Sequence, residues 1–169
     1  MPFRIWILLL LTHQLVSTVY SATQCQSHKH EPHLLCRMCG HEIAKGSSII
    51  RKKSSMALSS FNLTVMNNDC LVQLFENGVP EQFDVFTVTQ ADLALSGKPT
   101  TALSWFPGYA WTAALCPKCG VHLGWRFEAN VIDSRSGRVV KDSFDGLVLD
   151  FLLSEEYSNS LTKVPKLSW

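Results

Sequence analysis

The spacing Cys36-Arg37-Met38-Cys39-Gly40 recurs as Cys116-Pro117-Lys118-Cys119-Gly120, and no other feature of the chain restricts its fold as much. Two thiolates separated by two residues reach one tetrahedral ion from a single tight turn. The glycine after each pair lets the backbone reverse and direct its amides at the sulfurs. One pair alone would read as a redox dithiol. Two alike, each followed by glycine, read as the halves of one structural site made by Cys36, Cys39, Cys116 and Cys119. Four thiolates suit zinc. Two disulfides are the competing reading if the chain is exported, but cysteines on adjacent turns make strained bridges. A shared ion ties two distant segments into one domain.

The beginning of the chain bears on the compartment. Met1 to Arg4 carries one positive charge, Ile5 to Leu11 is an unbroken apolar run, and Val19-Tyr20-Ser21 follows as a small-residue exit. This order is that of a secretory signal peptide over residues 1–21, and the run is too short to span a bilayer. A retained anchor is the alternative. The expected product is secreted, soluble and free of the membrane once the signal is cleaved.

The 169 residues, 46% of them apolar and 17% charged, suffice for one domain with a core. Lys and Arg number 15 against 14 Asp and Glu, and Arg4 is the only charge in the leader, so the mature charge is balanced. Such a chain has no electrostatic reason to seek nucleic acid or anionic membrane. Asn62-Leu63-Thr64 is a glycosylation acceptor, expected on a surface loop. Cys25 and Cys70 remain, and an even remainder in an exported chain suggests a disulfide that pins an N-terminal arm to the middle of the domain. Two buried free thiols are the alternative.

The arm, residues 22–35, is polar, bears His28, His30 and His33, and reads as loosely ordered with solvated histidines. Beyond it helix signals are poor and β-formers abundant. Strands are predicted at Ser48–Arg51, Leu71–Phe75, Phe83–Val88, Ala110–Leu115, Val121–Glu128 and Asp145–Leu153. The fold class is therefore mainly β.

Trp105, Trp111 and Trp125 fall close together around the second cysteine pair. A hairpin about that pair brings Trp111 and Trp125 near each other on opposite strands. Alternation places Val121, Leu123, Trp125 and Phe127 on one face and His122 on the other, where it reads as structural or solvated. Phe106-Pro107-Gly108 favours a bend that swings Trp105 back toward Trp111. Aromatics in such a group are most often core. Ser104, the turn amides and the indole N–H groups favour a pocket instead, one suited to a flat or cationic small ligand.

The string Ser104-Trp105-Phe106-Pro107-Gly108-Tyr109-Ala110-Trp111-Thr112, then Cys116-x-x-Cys119, then Gly124-Trp125-Arg126-Phe127, closely resembles the CULT domain. This is the thalidomide-binding domain of cereblon, also found as stand-alone secreted and bacterial proteins. The match extends more faintly from Cys36 to about Leu153, which sets the expected bounds: a CULT domain over 36–153 and a tail over 154–169. The resemblance implies a β-tent fold, two antiparallel sheets pinned by the four-cysteine zinc site. It implies an aromatic cage of Trp105, Trp111 and Trp125, with Phe127 at its base, that holds a glutarimide, dihydrouracil, uracil-like or similar cyclic imide. The ring would meet backbone groups at Leu103 and Trp105 and the indole of Trp111. Cereblon has histidine where Leu103 stands, which alters the rim more than the mechanism, and Asn77 matches an asparagine at the pocket lip.

Three functions compete on this basis. A non-catalytic binding module is favoured. A methionine sulfoxide reductase of the B type shares the β-tent fold but needs a nucleophilic cysteine in the C-terminal half, and none follows Cys119. A ubiquitin-ligase partner is not expected, because that role of cereblon depends on a Lon-like domain for which this chain leaves no room.

Overall fold

A computed structural model describes residues 30–161, apart from 133, 134 and 136. The chain divides into Met1–His30, of which only His30 is described, and a second unit, Glu31–Trp169, which holds everything that follows. The signal peptide, His28 and Cys25 lie outside the described residues.

The second unit is built from two antiparallel sheets. Strands β1 (His33–Cys36), β2 (Glu42–Lys45) and β11 (Leu152–Ser154) form the smaller, in the order β11-β1-β2. The larger contains β3 (Ile49–Ile50), β4 (Ser59–Val65), β5 (Asn68–Glu76), β6 (Gln82–Val88), β7 (Ala94–Thr100), β8 (Ala110–Leu115), β9 (His122–Ile132) and β10 (Val139–Val148). Its order is β4-β5-β6-β10-β9-β8-β7, with β3 also paired to β6. A short helix, α1 (Glu155–Leu161), follows β11. Among the described residues no helix is long and apolar enough to cross a membrane.

The mainly β expectation holds, and several boundaries shift. β1 starts at His33, inside the segment expected to be a loose arm, and is the central strand of the small sheet. Leu34 and Cys36 alternate inward there, and this apolar periodicity outweighs the polar composition before it. His33 is accordingly not a solvated residue: its side chain is 18% exposed and stands between Glu42 and Glu155. The single strand expected over Asp145–Leu153 is two, one in each sheet, separated by a 3₁₀ turn at Leu149–Phe151. That turn carries the chain from the large sheet to the small one.

Two apolar clusters fill the unit. Leu34, Ile43, Val72, Phe86, Leu123 and Leu147 pack beside Cys36 and Cys116, and Phe75, Val85, Phe106, Phe127, Phe144 and Val148 form a second group. Cys70 is wholly buried in the first cluster, and burial pushes its thiol up to about 11. That is the reverse of the shift a nucleophilic cysteine requires.

One buried charge organises the sheet. Asp145, whose side chain is 1% exposed, takes two bonds from Arg126, from Nε at 2.8 Å and from Nη2 at 2.9 Å. It also accepts the Ala91 amide at 3.0 Å. The pair thus joins β9, β10 and the segment before β7. Asp145→Ala would leave Arg126 and the Ala91 amide without their partner, a loss of about 3–5 kcal/mol. Urea denaturation is expected to show the midpoint fall accordingly.

Candidate functional site

The two cysteine pairs adopt the same turn. Gly40 N–H donates to Cys36 O at 2.8 Å, and Gly120 N–H donates to Cys116 O at 2.9 Å. Each turn is closed from outside by the first cysteine's own amide, Cys36 to His41 O and Cys116 to Val121 O, both at 2.8 Å. Gly40 and Gly120 have φ of 72° and 75°, a region that side-chain-bearing residues enter only at a cost.

All four sulfurs lie within 4.8 Å of one another. The short contacts run between the knuckles, Cys36 Sγ to Cys119 Sγ at 3.8 Å and Cys39 Sγ to Cys116 Sγ at 3.6 Å. A tetrahedron of metal–sulfur bonds about 2.3 Å long has edges of about 3.8 Å, so the four thiols fit one ion. No disulfide occurs among the described residues, and all four are free thiols. Burial pushes Cys36 up to about 12. Burial acts on Cys116 too, but the amides of Cys119 and Lys118 and the neighbouring thiols outweigh it and bring it down to about 7. Four sulfurs this close ionise together only with a cation among them.

A cavity of about 330 Å³ opens beside the second apolar cluster. Trp105, Trp111 and Trp125 line it together with Phe127, and Asn77, Gly78, Val79 and Leu103 complete the rim. Trp105 and Trp125 meet edge to face with centroids 4.5 Å apart. Phe83 packs against both, and Phe75 stacks on Trp105 at 4.8 Å. Neither phenylalanine was singled out from the sequence, although both alternate on predicted strands beside buried positions. Trp111 lies opposite Phe127 in the β8–β9 register, and Trp125 lies opposite Ala113, so the two indoles are diagonal neighbours.

The polar groups near the cavity differ in part from those expected. Trp111 Nε1–H donates to Ala102 O at 2.8 Å, and Trp105 Nε1–H donates to Glu76 O at 2.9 Å, so both indoles are held from within the protein. The Trp105 carbonyl accepts Ser54 Oγ–H. Ser104 is not part of the lining; its hydroxyl donates to Phe106 O and shapes the turn. The Leu103 carbonyl and the Trp105 amide take part in none of the hydrogen bonds among the described residues. Leu103 is 80% exposed with φ of +54°, a strained setting for leucine at the mouth of a cavity. Asn77 lines the rim and caps its own turn, its Oδ1 accepting the amides of Val79 and Glu81.

His122 is on the face of Trp125, not opposite it, with ring centroids 4.6 Å apart. The register explains the difference. Ala113 pairs with Trp125 and Leu115 with His122, so one strand spends two steps where the other spends three. The bulge at Leu123–Gly124 reverses the alternation. Leu123 turns into the core, and His122 and Trp125 share a face. Burial holds His122 below the ordinary imidazole value and so favours the neutral ring.

Asn62 lies on β4, an exposed edge strand, where a loop was expected. Its Oδ1 accepts a bond from Arg51 at 2.9 Å.

Behind the aromatic loop, Lys52 Nζ donates to Tyr109 Oη at 2.8 Å and lies 3.1 Å from Asp142 Oδ2, which also accepts the Tyr109 hydroxyl. The bonds from Tyr109 and Lys52 hold Asp142 below the usual carboxylate range. Burial pulls Lys52 down, but its bonds to Tyr109 and Asp142 outweigh this and leave it above the usual lysine value. The carboxylate's contribution is therefore present above the ordinary carboxylate pKa and lost as pH falls through the lower folded one. The lysine's is present below the ordinary lysine pKa and lost as pH rises through the higher folded one. In thermal melts this pair's contribution is expected to be level through neutral pH and to weaken at both extremes, and Asp142→Asn should remove its share of the acid limb.

No protein-family model matches the chain. Curated relatives do. Over 51 residues it is 55% identical to cereblon of Gallus gallus, a stretch that is 30% of this chain and 12% of the relative. Over 103 residues, 60% of this chain and 15% of the relative, it is 33% identical to cereblon of Drosophila melanogaster. The chain carries a cereblon-like CULT domain. The four-cysteine cluster and the tryptophan cavity are the features of this CULT-like unit that bear on chemistry. The alignments span about an eighth of these relatives' length, and 53% identity to cereblon of Xenopus tropicalis covers 10% of it.

Proposed function

We propose that the chain is a zinc-anchored, non-catalytic binding domain whose tryptophan cavity takes a cyclic imide of the glutarimide, thalidomide-like or uracil-like kind. The observation that carries this is three indoles around a cavity of about 330 Å³ with an unpaired amide and carbonyl, those of Trp105 and Leu103, at its edge. A cyclic imide is apolar on its faces and polar along its edge. Indoles bury the faces, and an amide and a carbonyl fixed in a loop can pair the edge without leaving a buried group unmet. The indole N–H of Trp111, already bonded to Ala102, acts in this reading as a wall and not as a ligand donor.

The residues that would hold the zinc are Cys36, Cys39, Cys116 and Cys119, all used for structure, with no open coordination position. The site in this reading is extracellular, following the signal-peptide pattern of residues 1–21, and an Asn62 glycan would project from an exposed edge. A reductase activity finds no support, since Cys70 is buried and its thiol is driven up.

The test separates cage from staple. Trp125→Ala is expected to weaken glutarimide binding at least tenfold while the protein keeps one zinc per chain, measured by calorimetry and metal analysis on one sample. Unchanged affinity in that variant would refute the cage.

A further inference from the structure

The loop that carries Trp105 is fastened by residues that do not touch the cavity. Ser54 Oγ–H donates to the Trp105 carbonyl at the loop's start, and Lys52 Nζ reaches Tyr109 near its end. Both anchors belong to one tripeptide, Lys52-Lys53-Ser54, whose Lys52 amide donates to Thr87 Oγ1 at 3.2 Å and whose two ends are bridged by one side chain, Gln73. Gln73 Nε2 donates to Lys52 O at 2.9 Å, and Gln73 Oε1 accepts the Ser54 amide at 2.8 Å. The side-chain amide pairs with this backbone as a neighbouring strand would. Gln73 is 1% exposed and Ser54 6% exposed, so neither can exchange these bonds for water.

The relay ends where the cavity begins. Gln73 lies on β5 three residues before Glu76, whose carbonyl accepts the Trp105 indole N–H. The backbone and the ring of Trp105 are therefore both referred to the same strand, one through Ser54 and one directly. We propose that Gln73 and Ser54 are positioning residues that fix the Trp105 wall of the cavity from behind. The consequence for affinity rests on the ligand-pocket reading above; the positioning itself does not.

The test uses the full chain with Ser54→Ala, Ser54→Thr, Gln73→Met and, as an exposed control, Lys53→Ala. Hydrogen exchange of each indole N–H is followed by ¹⁵N NMR, and thalidomide is the binding probe. Ser54→Ala is expected to speed exchange at Trp105 Nε1 about two- to tenfold, the weight of one hydrogen bond, and to weaken thalidomide by a similar factor. Trp111 Nε1, bonded to Ala102 O, should be unmoved, Ser54→Thr should restore both readouts, and Gln73→Met should exceed Ser54→Ala. Native exchange at Trp105 in Ser54→Ala, or equal acceleration at Trp105 and Trp111, would overturn the proposal. If the native protein binds no thalidomide, the pocket reading fails and the exchange data still decide this one. If Gln73→Met does not fold, Ser54→Ala decides alone.

Discussion

Cys116→Ser is expected to unfold the domain and abolish ligand binding together. Cys116 is 1% exposed within the first apolar cluster, and its turn leads directly into β9, which carries Trp125 and Phe127. Its sulfur is 3.6 Å from that of Cys39, so losing it removes one of the four ligands that would tie the β1–β2 and β8–β9 turns to one ion. In small zinc domains the metal contributes roughly 10–16 kcal/mol. A domain of this kind has a net stability of roughly 5–15 kcal/mol, so the loss is comparable with the whole. Circular dichroism should show a collapsed melting transition, and chelation of the native protein should reproduce it. A folded Cys116→Ser protein with native thalidomide affinity would show that the cluster is not the staple described here.

Gly124→Ala is expected to be nearly as damaging, for a different reason. A Cβ at this position would stand 2.0 Å from the Gly146 carbonyl oxygen on β10, and φ is +153°. Neither atom can retreat, because both belong to backbones paired in the middle of the sheet, where Gly124 faces Leu147. The bulge must open, and with it the register that puts Trp125 in the cavity wall. Losses above about 4 kcal/mol are characteristic of such backbone collisions. Guanidinium denaturation should place Gly124→Ala far below Lys53→Ala, and any folded fraction should bind zinc but little ligand. Native stability in Gly124→Ala would mean that β9 and β10 are further apart than described.

How much of this was legible from the residues depended on how local the signal was. The knuckles are written in the chain, because cysteine spacing and the following glycine determine the turn. β8 is found at Ala110–Leu115, where a hairpin about the second cysteine pair places it. β4 was missed although Phe61, Leu63 and Val65 alternate with Asn62 and Thr64. On an edge strand that alternation faces water on both sides and resembles a loop composition. β7 contains Gly97, Lys98 and Pro99, a composition typical of turns, and no strand was predicted there; an edge strand tolerates proline because its outward N–H has no ladder partner to lose. The face of His122 was misjudged because simple alternation is blind to a bulge, for which Gly124 was the available clue. The Gln73–Ser54 relay had no signal at all, since its partners are separated in sequence and only the fold brings them together.

The most direct measurement is a tryptophan-fluorescence titration of the native chain and of Trp111→Ala with a panel of cyclic imides and pyrimidines, with zinc quantified on the same samples. The account predicts saturable quenching by glutarimide or uracil-like compounds in the native protein, its loss in Trp111→Ala, and one zinc per chain in both. Native protein with its full zinc that is quenched by no compound, or unchanged quenching in Trp111→Ala, would contradict it.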